Sequence, residues 1–140
     1  MKLSVVIVTY NSKSDILDCL DALYSHNDLE QDLEVIVVDN NSEDQREVFS
    51  SISHRYPSVH CISNPKNGGY GQGNNLGIAA ASSDIVMIMN PDVRWLDENL
   101  QQIVDTFTDE HVVQVGFTMK ESHSKEGSSY SYLNSSSGFK

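Results

Sequence analysis

The sequence predicts an α/β fold with a mostly parallel central sheet. Three observations lead there. Short apolar runs rich in β-branched residues recur along the chain, at Leu3–Thr9, Glu34–Asp39, Ser58–Ser63 and Ile85–Met89. Segments with apolar residues at helical spacing separate those runs. The strict alternation of the two patterns is the signature of helices laid on both faces of a parallel sheet.

Each element has a local reason. Leu3–Thr9 and Glu34–Asp39 are near-continuous apolar runs, as expected for strands buried on both faces. Ser14–Tyr24 places Ile16, Leu17, Leu20, Leu23 and Tyr24 on one helical stripe, with Ser12 or Ser14 available to cap it. Ser42 followed by Gln45 has the form of a capping box. The helix it opens aligns Val48, Phe49, Ile52 and Tyr56, and Pro57 ends it. Asn64–Gly73 is dense in Asn, Pro and Gly and reads as a loop. A helix is predicted over Asn74–Ala81, packing through Leu76, Ile78, Ala79 and Ala80. Asp97–Phe107 is a further amphipathic helix, and Val112–Val115 a last strand. From Ser122 to Lys140 there are eight serines and one aliphatic residue, Leu133, too little apolar surface to repay the entropy of ordering. The division expected is therefore a ligand-binding part over residues 1–117 and a Ser-rich, mobile segment over 118–140.

The chain of 140 residues is the size of one domain. Its longest apolar run, Val5–Val8, is too short to span a bilayer, and no small-residue cleavage site follows it. A cytoplasmic protein is expected, with peripheral contact at the inner face of the membrane compatible with this reading. The net charge of −11 and the scatter of nine basic residues argue against a nucleic-acid partner. An acidic chain can still bind phosphate through backbone N–H groups or a metal ion. Cys19 and Cys61 have no metal-ligand spacing and read as reduced, partly buried thiols.

Ligands of open α/β sheets bind beyond the carboxyl ends of the strands. Three ends are polar here: Thr9-Tyr10-Asn11-Ser12, Asp39-Asn40-Asn41-Ser42 and Asn90-Pro91-Asp92. Tyr10 is either a surface for a nucleobase or a partly buried core tyrosine. Asp39 either accepts from a base N–H or ribose hydroxyl, or caps the helix starting near Ser42. Asp92 either holds a divalent cation or caps the turn at Val93–Leu96. The stretch Asn67-Gly68-Gly69-Tyr70-Gly71-Gln72-Gly73-Asn74-Asn75 allows close backbone approach to a ligand, or is simply a flexible turn into a helix. It lacks the Lys-Ser/Thr of a P-loop and the third glycine of a dinucleotide fingerprint; that imperfect glycine pattern and the Asn-Pro-Asp turn argue against a NAD-dependent enzyme.

These residues resemble the N-terminal part of an inverting family 2 glycosyltransferase of the GT-A type. The resemblance rests on Ser4–Ser12, Val35–Ser42, Asn64–Gly71 with Asn74-Asn75-Leu76-Gly77, and Asn90-Pro91-Asp92, in that order. It covers about residues 1–117, and the Asn-Pro-Asp form is most similar to rhamnosyltransferase-like and galactofuranosyltransferase-like members. It implies a Rossmann-like three-layer sandwich, truncated here, and transfer from a UDP- or dTDP-sugar to a glycan or lipid-linked acceptor in cell-surface polysaccharide biosynthesis. Carried over by residue, Thr9, Tyr10, Asn11, Asp39, Asn41, Asn67, Gly68, Gly69, Gly71, Asn74 and Asn75 would line the nucleotide site. Asp92 and Asn90 would help hold Mg²⁺ or Mn²⁺ against the diphosphate. Asn90 stands where the family commonly has an aspartate, which weakens the expected metal ligation. The family's general base lies downstream of the resembling part. Neither Glu121 nor Glu126 is assigned to that role, so an inactive fragment or a non-catalytic nucleotide-binding module is the alternative expectation.

Overall fold

The structure is a computed structural model, and it describes residues 1–120 and 129–131. Two compact units are present, Met1–Val104 and Asp105–Lys140. In the first, strands β1 (Leu3–Thr9), β2 (Leu33–Asp39), β3 (His60–Ser63) and β4 (Val86–Met89) alternate with helices α1 (Lys13–Ser25), α2 (Gln45–Arg55) and α3 (Tyr70–Ala80). Helix α4 (Leu100–Thr106) follows. The four strands are parallel and ordered β3-β2-β1-β4.

The α/β class is as expected, and the sheet order assigns the helices to faces. The steps from β1 to β2 and from β2 to β3 run one way across the sheet, and the step to β4 runs back. Right-handed crossovers therefore put α1 and α2 on one face and α3 on the other. Contacts between the first two agree: the Tyr24 and Tyr56 rings stack at 4.5 Å, and Arg55 pairs with Asp21 at 2.9 Å. The two central strands supply the core. Val5, Val6, Ile7, Ile36, Val37 and Val38 are all fully buried.

Helix α3 begins four residues before the expected start, at Tyr70 rather than Asn74. Ala80 lies against the core as expected, but the helix packs mainly through a different face. Leu76, Ile78 and Ala79 are exposed, while Gly73, Asn74 and Gly77 are buried. A Cβ on Gly77 would lie 2.3 Å from Val6 Cγ1, and one on Gly73 would lie 2.7 Å from Val8 Cγ1. Two glycines one turn apart let the helix backbone rest directly on the valines of β1, an advantage that outweighs their poor helix propensity.

The amino ends of the strands are tied by one carboxylate. Glu34 accepts from the Ser4 hydroxyl and from the Ser82 N–H at 2.8 Å, joining β1 and β2 to the segment entering β4. Burial pushes the Glu34 carboxyl up, but these hydrogen bonds outweigh it and hold the group below the usual carboxylate range. Cys19 is fully buried, more than expected, and burial pushes its thiol up to about 12. The partly buried Cys61 is pushed up to about 11 for the same reason.

In the second unit, β5 (Thr118–Lys120) pairs antiparallel with β6 (Ser129–Ser131). Residues 112–115 form no strand, and Val113 is 90% exposed. A β-branched run without a neighbouring ladder does not hold as a strand. The expected mobility of the Ser-rich segment falls mostly outside the described residues, as do Glu121 and Glu126. No helix among the described residues is long and apolar enough to cross a membrane.

Two outcomes follow from this packing. Gly77→Ala is expected to lower stability by about 1–3 kcal/mol through overpacking against Val6, whereas Gly71→Ala, with nothing within 4 Å, gains a few tenths. Urea midpoints of the two variants measure the contrast. Glu34→Gln should cost about 1 kcal/mol at pH 7. A depressed carboxyl stabilises the fold above its unfolded pKa, and that contribution fades as pH falls through the lowered value. The gap between variant and parent should thus close towards pH 3, read by thermal melts across pH.

Candidate functional site

The carboxyl ends of β1, β2 and β4 form one rim. The order of the strands reverses between β1 and β4, so the rim carries the crevice in which α/β sheets bind ligands. Backbone bonds hold it together: the Asn40 N–H donates to the Thr9 carbonyl at 2.9 Å, and the Asn64 N–H donates to the Asp39 carbonyl at 2.9 Å.

Beyond β1 and β2 the chain turns sharply at equivalent places. Asn11 has φ 47° and Asn41 has φ 66°, a left-handed conformation that asparagine tolerates better than most residues. The two turns are stitched to each other. The Asn11 N–H donates to Ser42 Oγ at 2.8 Å, and the Glu43 N–H donates to Asn11 Oδ1 at 3.2 Å. Thr9 is buried beneath them, and Tyr10 is 49% exposed, which removes the core-tyrosine reading.

Asp39 sits at the centre, only 1% exposed. Its Oδ1 accepts from the Ser42 N–H and from Gln45 Nε2, both at 2.8 Å. Gln45 Oε1 in turn accepts from Ser63 Oγ at 3.0 Å. Asp39 Oδ2 is buried and has no hydrogen-bond partner among the described residues. The expected capping box is therefore not formed. The N-cap of α2 is Asp44 without a side-chain cap bond, because Ser42 and Gln45 are engaged at Asn11 and Asp39. Asp39 does not cap α2: its Oδ1 fixes the turn before the helix, and its Oδ2 is left without a partner among the described residues.

The glycine-rich stretch divides in two. Asn67, Gly68 and Gly69 form an exposed turn, with Gly69 at φ 88°, a conformation that favours glycine. Gly69 donates its N–H to Asn67 Oδ1 at 3.1 Å and accepts from Asn40 Nδ2 at 3.1 Å. Buried Asn64 donates to Asn40 Oδ1 at 2.9 Å. Gly71, Asn74 and Asn75 lie in the first turns of α3 rather than in the loop, and the buried Asn74 Oδ1 also has no partner among the described residues.

At the end of β4, Asn90 and Asp92 are exposed. The Tyr70 hydroxyl donates to Asn90 Oδ1, joining the start of α3 to this strand end. Arg94 braces the turn by donating to the Pro91 and Val93 carbonyls at 3.1 Å, and it pairs with Asp15 and Asp18 at 3.4 and 3.5 Å. Asp92 itself makes no hydrogen bond or ion pair among the described residues, so it caps nothing. The described residues contain no group of three or more His, Cys, Asp or Glu side chains able to hold a metal alone. The donors present, one free carboxylate and one amide carbonyl, suit a hard cation that takes its other ligands from substrate phosphate and water.

Residues that sequence reasoning left out are Asn40, Ser42, Gln45, Ser63, Asn64 and Tyr70. Asn40 and Ser42 stood inside the motif after β2, and their neighbours were chosen instead. Gln45 reads locally only as half of a capping box with Ser42, and Ser63 carries no local signal, because only the sheet register brings the end of β3 beside that of β2.

Comparison with known proteins follows the same outline. The family model Glycosyl transferase family 2 matches residues 4–137, further than the 1–117 expected. The chain is 30% identical over 116 residues to an uncharacterized glycosyltransferase of Nostoc sp., covering 82% of this chain and 35% of that one. It superposes on S. aureus TarS 1-349 in complex with UDP with a TM-score of 0.66 at 28% identity, covering 79% of this chain and 33% of that one. The mannosyltransferase of Pyrobaculum calidifontis in complex with GDP-Man and Mn²⁺ shares the fold, with a TM-score of 0.68 at 22% identity over 82% of this chain and 34% of that one. The chain spans between 15% and 36% of the length of the curated relatives it matches. Several of them are named glucosyl-, hexosyl-, mannosyl- and N-acetylglucosaminyltransferases, which does not support the expected rhamnosyl- or galactofuranosyl-like subtype.

Proposed function

The chain belongs to glycosyl transferase family 2, and from that premise we propose that its sheet rim binds a nucleotide-diphospho-sugar, UDP- or dTDP-linked, as the donor for glycosyl transfer. The observation that carries the reading is Asp39 Oδ2, a buried carboxylate oxygen at a strand end with no partner among the described residues. A buried unpaired acceptor is costly, and a base N–H or ribose hydroxyl of a bound nucleotide removes that cost.

In this reading the exposed Tyr10 ring packs against the base. Thr9, Asn11 and Asn41 shape the floor and wall beside it. Asn67, Gly68, Gly69 and Gly71 border the diphosphate and sugar, where the glycines add no side chains; the N–H groups of Gly68 and Gly69 are already donated to the Lys66 carbonyl and to Asn67 Oδ1. Asn74 and Asn75 border the same end of α3. Asp92 would hold Mg²⁺ or Mn²⁺, with the Asn90 carbonyl as a weaker neutral ligand. The amide oxygen already accepts from Tyr70 but keeps a second lone pair. A divalent cation so held supplies Lewis-acid stabilisation of the departing nucleotide diphosphate. The transferred group is hexosyl, passed with inversion to a hydroxyl of a glycan or lipid-linked acceptor. The names of the relatives agree with a role in cell-surface glycans: poly(ribitol-phosphate) beta-glucosyltransferase, a low-salt glycan biosynthesis hexosyltransferase and an amylovoran biosynthesis glycosyltransferase. No residue of this chain is assigned as the general base.

Calorimetry of the full chain with UDP and Mn²⁺ tests the reading. Binding is expected at micromolar to millimolar concentrations, and no heat with any nucleotide diphosphate rejects it. Asp39→Asn turns an acceptor into a competing donor and should weaken UDP binding about tenfold or more. Asp92→Ala should remove the gain in affinity given by Mn²⁺ while leaving the melting temperature nearly unchanged. A metal effect that survives this substitution excludes Asp92 as a ligand. A radiolabelled-donor assay then separates transfer from nucleotide binding alone.

A further inference from the structure

The proteins that share this fold differ in the base they read: one solved relative holds UDP and another GDP-Man. The surroundings of Asp39 contain a device that bears on that choice. A carboxylate oxygen has two lone pairs. Both of those on Asp39 Oδ1 are taken, one by the Ser42 N–H and one by Gln45 Nε2. The Ser42 bond belongs to the turn and is present whatever side chain stands there. The Gln45 bond depends on the side chain, and it is anchored from behind by Ser63 Oγ donating to Gln45 Oε1 at 3.0 Å. The relay Ser63–Gln45–Asp39 thus runs across the ends of β3, α2 and β2 and stops at Oδ1.

The consequence is asymmetric. Asp39 offers a ligand one acceptor, Oδ2, and not two. Uracil and thymine present a single imide N–H flanked by two carbonyl oxygens. They need one acceptor, and a second carboxylate oxygen carrying open lone pairs would face a carbonyl. Guanine presents adjacent N1–H and N2–H donors, which match two open carboxylate oxygens side by side, as a guanidinium does. We propose that Gln45 is a specificity-determining positioning residue: by saturating Asp39 Oδ1, it tunes the site to a uracil or thymine nucleotide and against a guanine nucleotide. The inference rests on the reading that the nucleotide base sits at Asp39.

The test uses calorimetric titration of the full chain with UDP and with GDP, each with Mn²⁺, for the parent, Gln45→Leu and Ser63→Ala. The parent should prefer UDP over GDP by about tenfold or more, the worth of one hydrogen bond to a charged group. Gln45→Leu keeps the bulk of the side chain and frees one lone pair of Oδ1. It should reduce the UDP-to-GDP affinity ratio about tenfold, chiefly by strengthening GDP binding. Ser63→Ala should shift the ratio the same way by less, because the amide loses its anchor and not its donor. A merely structural role for Gln45 would weaken both nucleotides together and leave the ratio fixed. A fixed ratio in a folded Gln45→Leu, or a parent that prefers GDP, overturns the inference while UDP binding by the parent leaves the site reading standing. A parent that binds neither nucleotide overturns both. If Gln45→Leu does not fold, the ratio for Ser63→Ala decides on its own.

Discussion

The rim is organised around one constraint, a carboxylate buried at the end of β2. A polar group of this kind is costly in a protein interior unless its lone pairs are met. Asp39 is met on one side only. Its Oδ1 takes a turn N–H and a glutamine amide, while its carbonyl accepts the Asn64 N–H. Those bonds determine the positions of Ser42, Gln45 and the loop after β3. Ser42 in turn receives the Asn11 N–H, so the turn after β1 depends on the turn after β2. The fully buried valines of both strands keep the ends in register, and the asymmetry of Asp39 is the feature that the packing preserves.

The second support is the approach of α3 to the sheet. Gly73 and Gly77 seat the helix backbone on Val8 and Val6, and this lowers its first turn towards Asn40. Gly69, just before that turn, is then close enough for its carbonyl to accept from Asn40 Nδ2, and Tyr70 can reach Asn90. One helix thereby links the ends of β2 and β4 across β1. A side chain at either packing glycine would raise the helix and pull the 67–70 turn off the rim. The glycines of this stretch serve two ends: Gly69 supplies a left-handed turn, and Gly73 and Gly77 supply close contact.

The strands and the first two helices were legible in the sequence because burial on both faces leaves long apolar runs and amphipathic stripes that few other structures produce. The start and packing face of α3 were not. Glycine lowers helix propensity, so Gly71 and Gly73 read as loop, and the contact that repays that weakness is made with β1, far away in the sequence. Leu76 and Ile78 misled for the opposite reason: apolar residues suggested a buried face, and they are exposed. At the rim, the strand-end residues Thr9, Asp39 and Asp92 could be picked out from position alone. The Asn40–Asn64 pair and the Ser63–Gln45 bond could not, since each joins segments brought together by strand register. Ser42 and Gln45 show the same limit from another side. Their spacing satisfied a local capping rule, and tertiary partners won both side chains.

The charge of the chain bears on how such a rim can meet a diphosphate. At −11 overall, the protein repels anions at long range, and Arg94, the cation beside the Asn90–Asp92 turn, is paired with Asp15 and Asp18. A phosphate arriving here has no free guanidinium to meet at that turn. What the turn offers is the free carboxylate of Asp92 and the neutral carbonyl of Asn90. Both are acceptors, and by themselves they oppose a phosphate. They become favourable only with a cation between them and the anion, and replacing a second carboxylate by Asn90 lowers the negative charge that the cation must offset. A turn that presents a carboxylate and an amide oxygen is thus a coherent electrostatic arrangement for the metal-bridged diphosphate of the proposed function. Under the proposed function the binding of nucleotide and metal would be mutually dependent, because each would supply the charge that the other lacks.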